Sequence, residues 1–341
     1  MTDQIDSTQT KPADQEPTAL APWRYSAWSI PMAAQRSLRG ASLSVVGIML
    51  FMLLWQATAN SIDTSLGKFP GPIQVFSQAQ NMVEEYDREQ QRRVDFFARQ
   101  QVRNDELLRN DPSAEVRIRP YTGRPTFLNQ IATSLMTVAF GFALAMLVAI
   151  PLGIVCGLSE TIYNATNPLI QLFKPVSPLA WLPLVTMLVS ALYVSDDPMF
   201  EKSFVTSAIT VALCCLWPTV INTTVGVASV DKDLINVSRV ICLPTHVHIR
   251  KIVLPSAIPL IFTGMRLSLA TGWMVLIAAE MLAQNPGLGK FIWDEFQNGS
   301  SDSLSRIMVA VIVIGFIGLI LDRLMLTLQR YLSWDKQTVL R

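Results

Sequence analysis

The sequence has few charged residues, and its charges nearly cancel. Only 16% of its 341 residues are charged, and the formal net charge is +1. This balance lacks the basic surplus that nucleic-acid binding requires, so no nucleic-acid partner is expected. Half of the residues are hydrophobic, and the mean hydropathy is +0.35. The composition therefore favours a polytopic membrane protein over a soluble one.

Cysteine and histidine are scarce as well. Three of the four cysteines fall in apolar segments and Cys242 falls in a basic loop, which gives no disulfide framework. The only two histidines, His246 and His248, have no cysteine or carboxylate neighbours that would complete a metal site. A membrane-embedded enzyme would need clustered His, Asp or Glu at the bilayer surface. The sequence therefore predicts no catalytic residue, no metal site and no cofactor-binding site in this chain.

Long apolar runs dominate instead. A hydrocarbon core of about 30 Å needs about 20 apolar residues per helix, and six segments come near that length. Pro178 and Pro183 make the third segment the weakest, because each removes a helix donor near its start. The sequence predicts an all-α membrane protein with six transmembrane helices. The predicted spans are Ala41–Ala57, Ser134–Leu158, Ser177–Val194, Phe204–Thr223, Pro259–Met281 and Ile307–Leu328.

Basic residues set the orientation of these spans. Arg36 and Arg39 precede the first span, and Arg239 and Lys251 lie in the loop after the fourth. Because cytoplasmic loops carry an excess of Lys and Arg, this pattern predicts that both termini and that loop are cytoplasmic. The predicted organisation is a cytoplasmic segment 1–40, a first transmembrane helix 41–57, an external loop 58–130, a five-helix core 131–334 that contains a cytoplasmic loop 224–258, and a cytoplasmic tail 335–341.

The external loop contains a charged insertion from about Glu84 to Arg124. Its apolar residues, among them Val94, Phe97, Val102 and Leu108, recur with a partly helical period. Two interpretations follow. The insertion is a platform for an external partner, or it is a solvated charged helix that only covers its own protein, and the second is favoured.

The stretch Asn236–Pro255, NVSRVICLPTHVHIRKIVLP, lies between two apolar segments and resembles the cytoplasmic docking loop of ABC-importer permeases. That family's signature reads E-A-A, three residues, G, nine residues and I-x-L-P. Ile252, Leu254 and Pro255 match its end, whereas Asn236 to Ser238 replace E-A-A and Cys242 replaces the glycine. A short helix over Lys232–Ile241, stopped by Pro244, would offer an apolar face to a groove in an ATPase.

The alternative for this loop is an interfacial helix that only anchors the chain to lipid. The residues predicted to dock the ATPase are Leu234, Ile235, Asn236, Val237, Ser238, Arg239, Cys242, Ile252, Leu254 and Pro255.

Further segments resemble the permeases that serve nitrate, sulfonate and taurine. They are SLMTVAFGFALAMLVAIPLGIVCGLS from Ser134, KPVSPLAWLP at Lys174–Pro183, WPTVINT at Trp217–Thr223, AAEML at Ala278–Leu282 and NPGLG at Asn285–Gly289. The sequences KPVSPLAWLP and WPTVINT are most similar to the nitrate-type branch, which includes bicarbonate and cyanate carriers.

The resemblance implies an inner-membrane subunit of an ATP-driven importer of the type I permease fold, most readily for nitrate. Two copies would form the pore, separate ATPase subunits would bind ATP and magnesium, and an external substrate-binding protein would deliver the cargo. Taurine, alkanesulfonate, bicarbonate and cyanate remain alternative cargoes. A secondary transporter is less favoured, because the sequence shows no internal repeat.

Polar residues within the spans are candidates for an anion path, since side chains that face the bundle interior lower the cost of carrying charge through lipid. Ser134, Ser177 and Trp217 are further members of this group. Any of these residues can instead hydrogen-bond a neighbouring helix. The predicted path residues are Thr137, Trp181, Thr219, Asn222, Thr223, Arg266, Ser268 and Thr271.

Two ionisable residues lie inside predicted spans. Arg266 would attract an anion, lock a closed state or extend its side chain to the membrane interface, and Glu280 would have a structural or gating role. Asp322 and Arg323 are interpreted as an interfacial pair. A GxxxG pattern at Gly153 and Gly157 permits a close helix approach and suits a dimer seam.

Overall fold

The computed structural model describes residues 32–64, 67–111, 116, 118–194, 199–300 and 302–332, and in these ranges nearly all regular structure is helical. The chain divides into two compact units, Met1–Leu54 and Trp55–Arg341. Its elements are α1 (Met32–Ser61), β1 (Asp63–Thr64), β2 (Gly67–Lys68), α2 (Pro72–Asn110), α3 (Phe127–Leu158), α4 (Glu160–Phe173), α5 (Pro178–Leu192), α6 (Lys202–Ala228), α7 (Lys232–Val240), α8 (Thr245–His248), a π-helical turn (Ile249–Val253), α9 (Leu254–Ala283), α10 (Leu288–Asn298) and α11 (Ser303–Leu332).

Four continuous helices among the described residues are long and apolar enough to cross a membrane. They are Phe127–Leu158, Lys202–Ala228, Thr245–Ala283 and Ser303–Leu332. Each contains one predicted span and extends beyond it, because helix ends can continue into the polar boundary of a bilayer whereas a hydropathy pattern fades there. The first predicted span, Ala41–Ala57, lies within α1, whose apolar part is Val45–Ser61.

The third predicted span, Ser177–Val194, corresponds to the shorter helix α5. Helices α4 and α5 together are long and apolar enough to form a membrane segment, but the chain bends by 100° at the break between them. The break follows from Pro178, which begins α5, and from the Ser177 hydroxyl, which caps it by accepting from Leu179 N–H at 3.3 Å. The proline at residue 178 therefore coincides with a break in the helix, and α4 is the helical segment that precedes this break.

Helix α6 is the central helix of the second unit and packs against α3 and α9. Small residues make these contacts close. A Cβ at Gly153 would overlap Thr223, and one at Gly157 would overlap Val227, both on α6. The Gly153-x-x-x-Gly157 pattern thus packs α3 on α6 of the same chain, and the predicted use at a dimer seam is wrong. On the other side of α6, Gly264 of α9 meets Asn222 in the same manner.

The charged insertion forms one uninterrupted helix up to Asn110. Helix α2 has 39 residues and is therefore about 58 Å long. The described chain after it returns along the helix, where the Tyr121 hydroxyl donates to Glu89 at 2.6 Å and the Tyr121 ring lies 5.3 Å from that of Phe96. The hydrogen bond to Glu89 raises the pKa of Tyr121. The helical character predicted for 84–124 is thus present as far as residue 110.

Candidate coupling loop and polar networks

The loop between α6 and α9 is built around the short helix α7. Its Asp231 N-cap accepts from the backbone N–H of Asp233 at 2.9 Å, which satisfies one of the unpaired donors at the helix start. Arg239 lies in its last turn, where a cation complements the helix dipole. The predicted helix Lys232–Ile241 is confirmed within one residue, and Pro244 lies immediately before the next helical turn.

Cys242 ends α7 in a left-handed conformation, with φ of 47°. Its N–H donates to the Arg239 carbonyl at 3.1 Å, and the Leu243 N–H donates to the Ser238 carbonyl at 3.1 Å. These two bonds form a Schellman motif, whose left-handed residue is usually glycine. Cys242 is the position at which the docking-loop signature has glycine. The left-handed conformation therefore explains why the signature has glycine at this position, and the structure shows that this chain accommodates a cysteine there.

The two faces of α7 have different environments. Ile235 is half-buried against an apolar cluster that includes Val230, Val253 and Ile261, and Ser238 is buried with its hydroxyl donating to the Ile235 carbonyl at 2.8 Å. The opposite face is uncovered in this chain. Its apolar members are Leu234, Val237, Val240 and Ile241, exposed by 45%, 56%, 82% and 58%. Among the predicted docking residues, Ile235 and Ser238 thus hold the helix, whereas Leu234 and Val237 are free for a partner.

The I-x-L-P segment, residues 252–255, contributes to the apolar cluster beneath α7. Ile252 and Leu254 are half-buried and pack on the same apolar cluster as Ile235, while Pro255 is exposed. Pro255 follows the π-helical turn within the continuous helix Thr245–Ala283, where it has no N–H to donate to a carbonyl of the preceding turn. The remaining predicted docking residues Asn236, Arg239 and Cys242 are exposed. His246 is exposed and His248 is half-buried, and in the part of the chain that the structure describes no cluster of three metal-ligating residues occurs.

A second polar centre lies at the other end of α9, around Glu280. Its carboxylate is 0% exposed and accepts from the Ser134 hydroxyl of α3 at 2.8 Å and from the Gly289 N–H of α10 at 3.0 Å. Asn285 donates to Glu280 at 3.5 Å and to the Thr137 hydroxyl at 3.2 Å. The carboxylate therefore lies at the N-terminus of α10, where the helix dipole favours negative charge.

The NPGLG segment makes this approach possible. A Cβ at Gly287 would overlap the Glu280 carboxylate, and a Cβ at Gly289 would overlap the Ile277 carbonyl. The AAEML and NPGLG segments, separate in sequence, are therefore two halves of one contact between α9 and α10. The structural role predicted for Glu280 fits this geometry.

Most of the predicted path residues lie between helices and not on an open surface. The Thr219 and Ser268 hydroxyls hydrogen-bond each other at 2.7 Å between α6 and α9, and both residues are 0% exposed. Thr137 and Thr223 are also fully buried, and the Thr223 hydroxyl has no hydrogen-bond partner. Thr137, Thr219 and Ser268 therefore hydrogen-bond residues of other segments, which is the alternative that the sequence left open, whereas Thr223 lies against Gly153 of α3 without a hydrogen bond.

Arg266 is paired with Asp322 of α11. The guanidinium donates two hydrogen bonds to the carboxylate, the second from Nη2 at 2.9 Å, and both side chains are about one-third exposed. The pairing of Asp322 with Arg323 as an interfacial pair is wrong, because Asp322 reaches across to α9. Arg266 is therefore neutralised in this conformation and is not free to attract an anion.

The remaining candidates are at least partly accessible. Trp181 and Trp217 are half-buried on either side of Phe173, at ring distances of 5.8 and 6.0 Å. Asn222 is half-buried, and its amide donates to the Pro218 carbonyl at 2.8 Å. Thr271 is exposed on α9, and its hydroxyl bonds only its own helix, at the Leu267 carbonyl. The exposed Ser177 is used as the cap of α5.

Two features of the site were not predicted from the sequence. Val240 is the most exposed apolar residue of α7. It was not predicted to belong to the apolar face, because it follows the basic Arg239 in the sequence. Arg306 of α11 donates to Glu85 of α2 at 2.8 and 3.1 Å and to Glu295 of α10 at 2.7 Å. Arg306 and Glu85 are 221 residues apart, so no local pattern signals their contact.

Comparison with known proteins agrees with this architecture. The family of binding-protein-dependent transport system inner membrane components matches residues 149–333. The nitrate import permease protein NrtB of Synechocystis sp. is 41% identical over 57% of this chain and 66% of the relative, and NrtB of Synechococcus elongatus is 34% identical over 63% and 76%. The bicarbonate transport system permease protein CmpB of Synechococcus elongatus is 29% identical over 96% of this chain and 98% of the relative.

Among solved structures, the MetNI methionine ABC transporter has a chain that superposes with a TM-score of 0.52 at 12% identity, over 61% of this chain and 96% of that chain. This likeness concerns the fold alone. It confirms the helical permease core predicted from the sequence. With a family match over more than half of the chain and relatives among nitrate and bicarbonate permeases, the chain belongs to the inner-membrane permease subunits of ABC importers, on the nitrate-type branch.

Proposed function

We propose that this chain forms the membrane path of an ATP-driven importer for a small inorganic anion, with nitrate as the first candidate and bicarbonate as the second. The observation that carries the coupling part of the proposal is the uncovered apolar face of α7, which projects from a loop between two membrane helices. An apolar helix face that its own chain leaves bare suits a groove in a partner. The partner is an ATPase subunit that binds ATP and magnesium.

The cargo class is supported by the relatives. One nitrate permease is 41% identical and one bicarbonate permease is 38% identical, and another bicarbonate permease aligns over nearly the whole chain. Delivery of the anion by an external binding protein is supported by the family description.

A second copy of the chain completes the pore in this proposal. Helix α9 has an uncovered stripe formed by Leu267, Ala270, Thr271 and Met274, at the spacing of one helix face. Facing two such stripes would place Thr271 beside its counterpart. Thr271→Cys in a Cys242→Ser background should then give a disulfide-linked dimer on mild oxidation, whereas Leu147→Cys on the exposed face of α3 should not. A lipid-facing α9 stripe would leave both variants monomeric.

The function is tested by ATP-dependent uptake of labelled nitrate into cells that express this chain with its ATPase and binding protein. Excess unlabelled bicarbonate or taurine in parallel assays identifies the preferred cargo. Val237→Asp places a charge on the apolar face of α7 and should lower uptake at least about tenfold, since a buried unpaired charge opposes docking. Thr245→Asp adds the same charge on exposed α8 and should leave uptake near wild type.

Membrane insertion of both variants is checked by their amount in isolated membranes. Uptake that survives Val237→Asp would refute coupling through α7. Uptake of taurine in place of nitrate and bicarbonate would keep the permease function and refute the cargo class.

A further inference from the structure

A cavity of about 650 Å³ lies between the middle of α2, residues 124–130, α10 and the start of α11. This outer cleft is at the end of α9 remote from the coupling loop, because α10 directly follows that end of α9. It is polar and open to solvent, and the charged insertion supplies one of its walls. The candidate coupling loop contributes no residue to it.

The carboxylates of the outer cleft are already engaged. Arg306 is held between Glu85 and Glu295, and Glu295 also accepts from the Ser303 hydroxyl at 3.0 Å. The two remaining carboxylates have their own partners: Glu89 accepts from Arg92 at 3.3 Å and from the Tyr121 hydroxyl at 2.6 Å, and Asp294 pairs with Lys290 at 3.2 Å.

Two cationic side chains of the same cleft have no carboxylate partner among the described residues. Arg88 uses only its Nε, which donates to the Glu84 carbonyl at 3.3 Å and leaves both terminal nitrogens of its guanidinium available. Arg124 also lines the cavity and makes no ion pair within the described ranges. The lining of the cleft has five cationic side chains and four carboxylates, a formal charge of +1, and in the described part of the chain the two cations without an ion pair are Arg88 and Arg124.

Neutral hydrogen-bonding groups in the cleft lack partners as well. Gln130 lines the cavity at only 5% exposure, and its Oε1 makes no hydrogen bond in the structure. Rotation of the amide by half a turn presents Nε2–H at the same place. Thr126, on the same wall, has a buried hydroxyl that is also unpartnered. Buried polar groups without partners are uncommon in folded proteins, and they indicate a missing ligand or water.

We infer that the outer cleft is a binding site for a small inorganic oxyanion, held between the guanidinium groups of Arg88 and Arg124 with Thr126 and Gln130 as neutral donors. The planar fork of an arginine matches the geometry of two oxygens of such an anion. The cavity is much larger than the anion, so the anion retains water and binds weakly. Binding would join α2 to the segment that leads into α3.

This inference depends on the proposed function only for the choice of nitrate and bicarbonate as probes. The test uses the full chain, purified in detergent, and isothermal titration with sodium nitrate that replaces sodium chloride at constant total salt. A second series uses sodium bicarbonate. The test variant is Arg88→Gln with Arg124→Gln. The matched control is Arg99→Gln with Arg103→Gln, which removes the same charge from exposed positions of α2 outside the cleft.

Wild type and the control should bind at least one of the two anions saturably, and the Arg88/Arg124 variant should bind it at least about tenfold more weakly. Circular dichroism and thermal unfolding of all three proteins confirm that the variants are folded. Saturable binding that is equal in all three proteins would place the anion elsewhere and overturn the inference. Absence of saturable binding in wild type would overturn it too. Neither result bears on nitrate uptake, which tests the proposed function separately.

Discussion

The two ends of the permease core are held in opposite ways. At the coupling end, α7 rests on the half-buried Ile235 and the buried Ser238, and its other face is bare. At the end of α9 next to α10, Glu280 is fully enclosed and bonded to two neighbouring helices, and Arg306 joins three helices. A surface that receives a partner must remain uncovered, whereas an end that carries a long insertion needs fixed polar contacts.

Glu280→Ala should have the largest effect on stability. It leaves the Ser134 hydroxyl and the Gly289 N–H without their acceptor in a buried site, at a cost of about 3 kcal/mol. Thermal unfolding of the purified chain should show a clear loss, together with lower membrane levels. Glu106→Ala, at an exposed position of α2, is the control and should have no effect. Equal stability of the two variants would show that the contact between α9 and α10 does not depend on this network.

Arg306→Met should loosen α2 without unfolding the core. The loss of hydrogen bonds to two carboxylates costs about 2 kcal/mol in this partly exposed site. Hydrogen exchange in the first half of α2 should accelerate, whereas exchange in α6 should not change. A double-mutant cycle with Glu85→Gln gives the coupling energy of the pair, and a value near zero would mean that α2 is held by other contacts.

Ile235→Ala should weaken the packing of α7 against the apolar cluster beneath it. The residue is half-buried, so about half of the usual cost of a core truncation is expected, about 1.5 kcal/mol. Hydrogen exchange over residues 229–243 should increase. Val240→Ala, on the bare face of the same helix, should change stability by less than about 0.5 kcal/mol. The reverse ranking would mean that the assignment of the two faces is wrong.

Cys242→Gly should give a small gain. A side chain at a φ of 47° is strained, and its removal should relieve about 1 kcal/mol of strain in the folded state. Glycine also gives the unfolded chain more conformational freedom, which offsets about half of that gain. The control is Gln284→Gly, at a φ of 57°, where the lost side chain also bonds Met281 and Lys290, so no gain is expected. Thermal unfolding in detergent compares the two, and a lower melting temperature for Cys242→Gly would contradict the strain argument.

The sequence predicted more of the fold than of the site. All six apolar segments lie in helices, because a run of about 20 apolar residues leaves the backbone no other way to satisfy its hydrogen bonds in lipid. Helix α7 and its end were also predictable, since capping residues and Pro244 act locally. The roles of Thr137, Thr219 and Ser268 were not, because a hydroxyl in a span is compatible with both a path and a helix contact.

The sequence by itself therefore determined the class of protein, the positions of its apolar helices and the location of the candidate coupling loop. These depend on composition and on interactions within a few residues. The tertiary structure decided that Arg266 is neutralised by Asp322, that Glu280 meets α10, that Arg306 joins α2 to the core and which side of α7 is bare. Such choices depend on contacts between residues far apart in the chain, and hydrophobic periodicity contains no information about which distant partner neutralises a given charge.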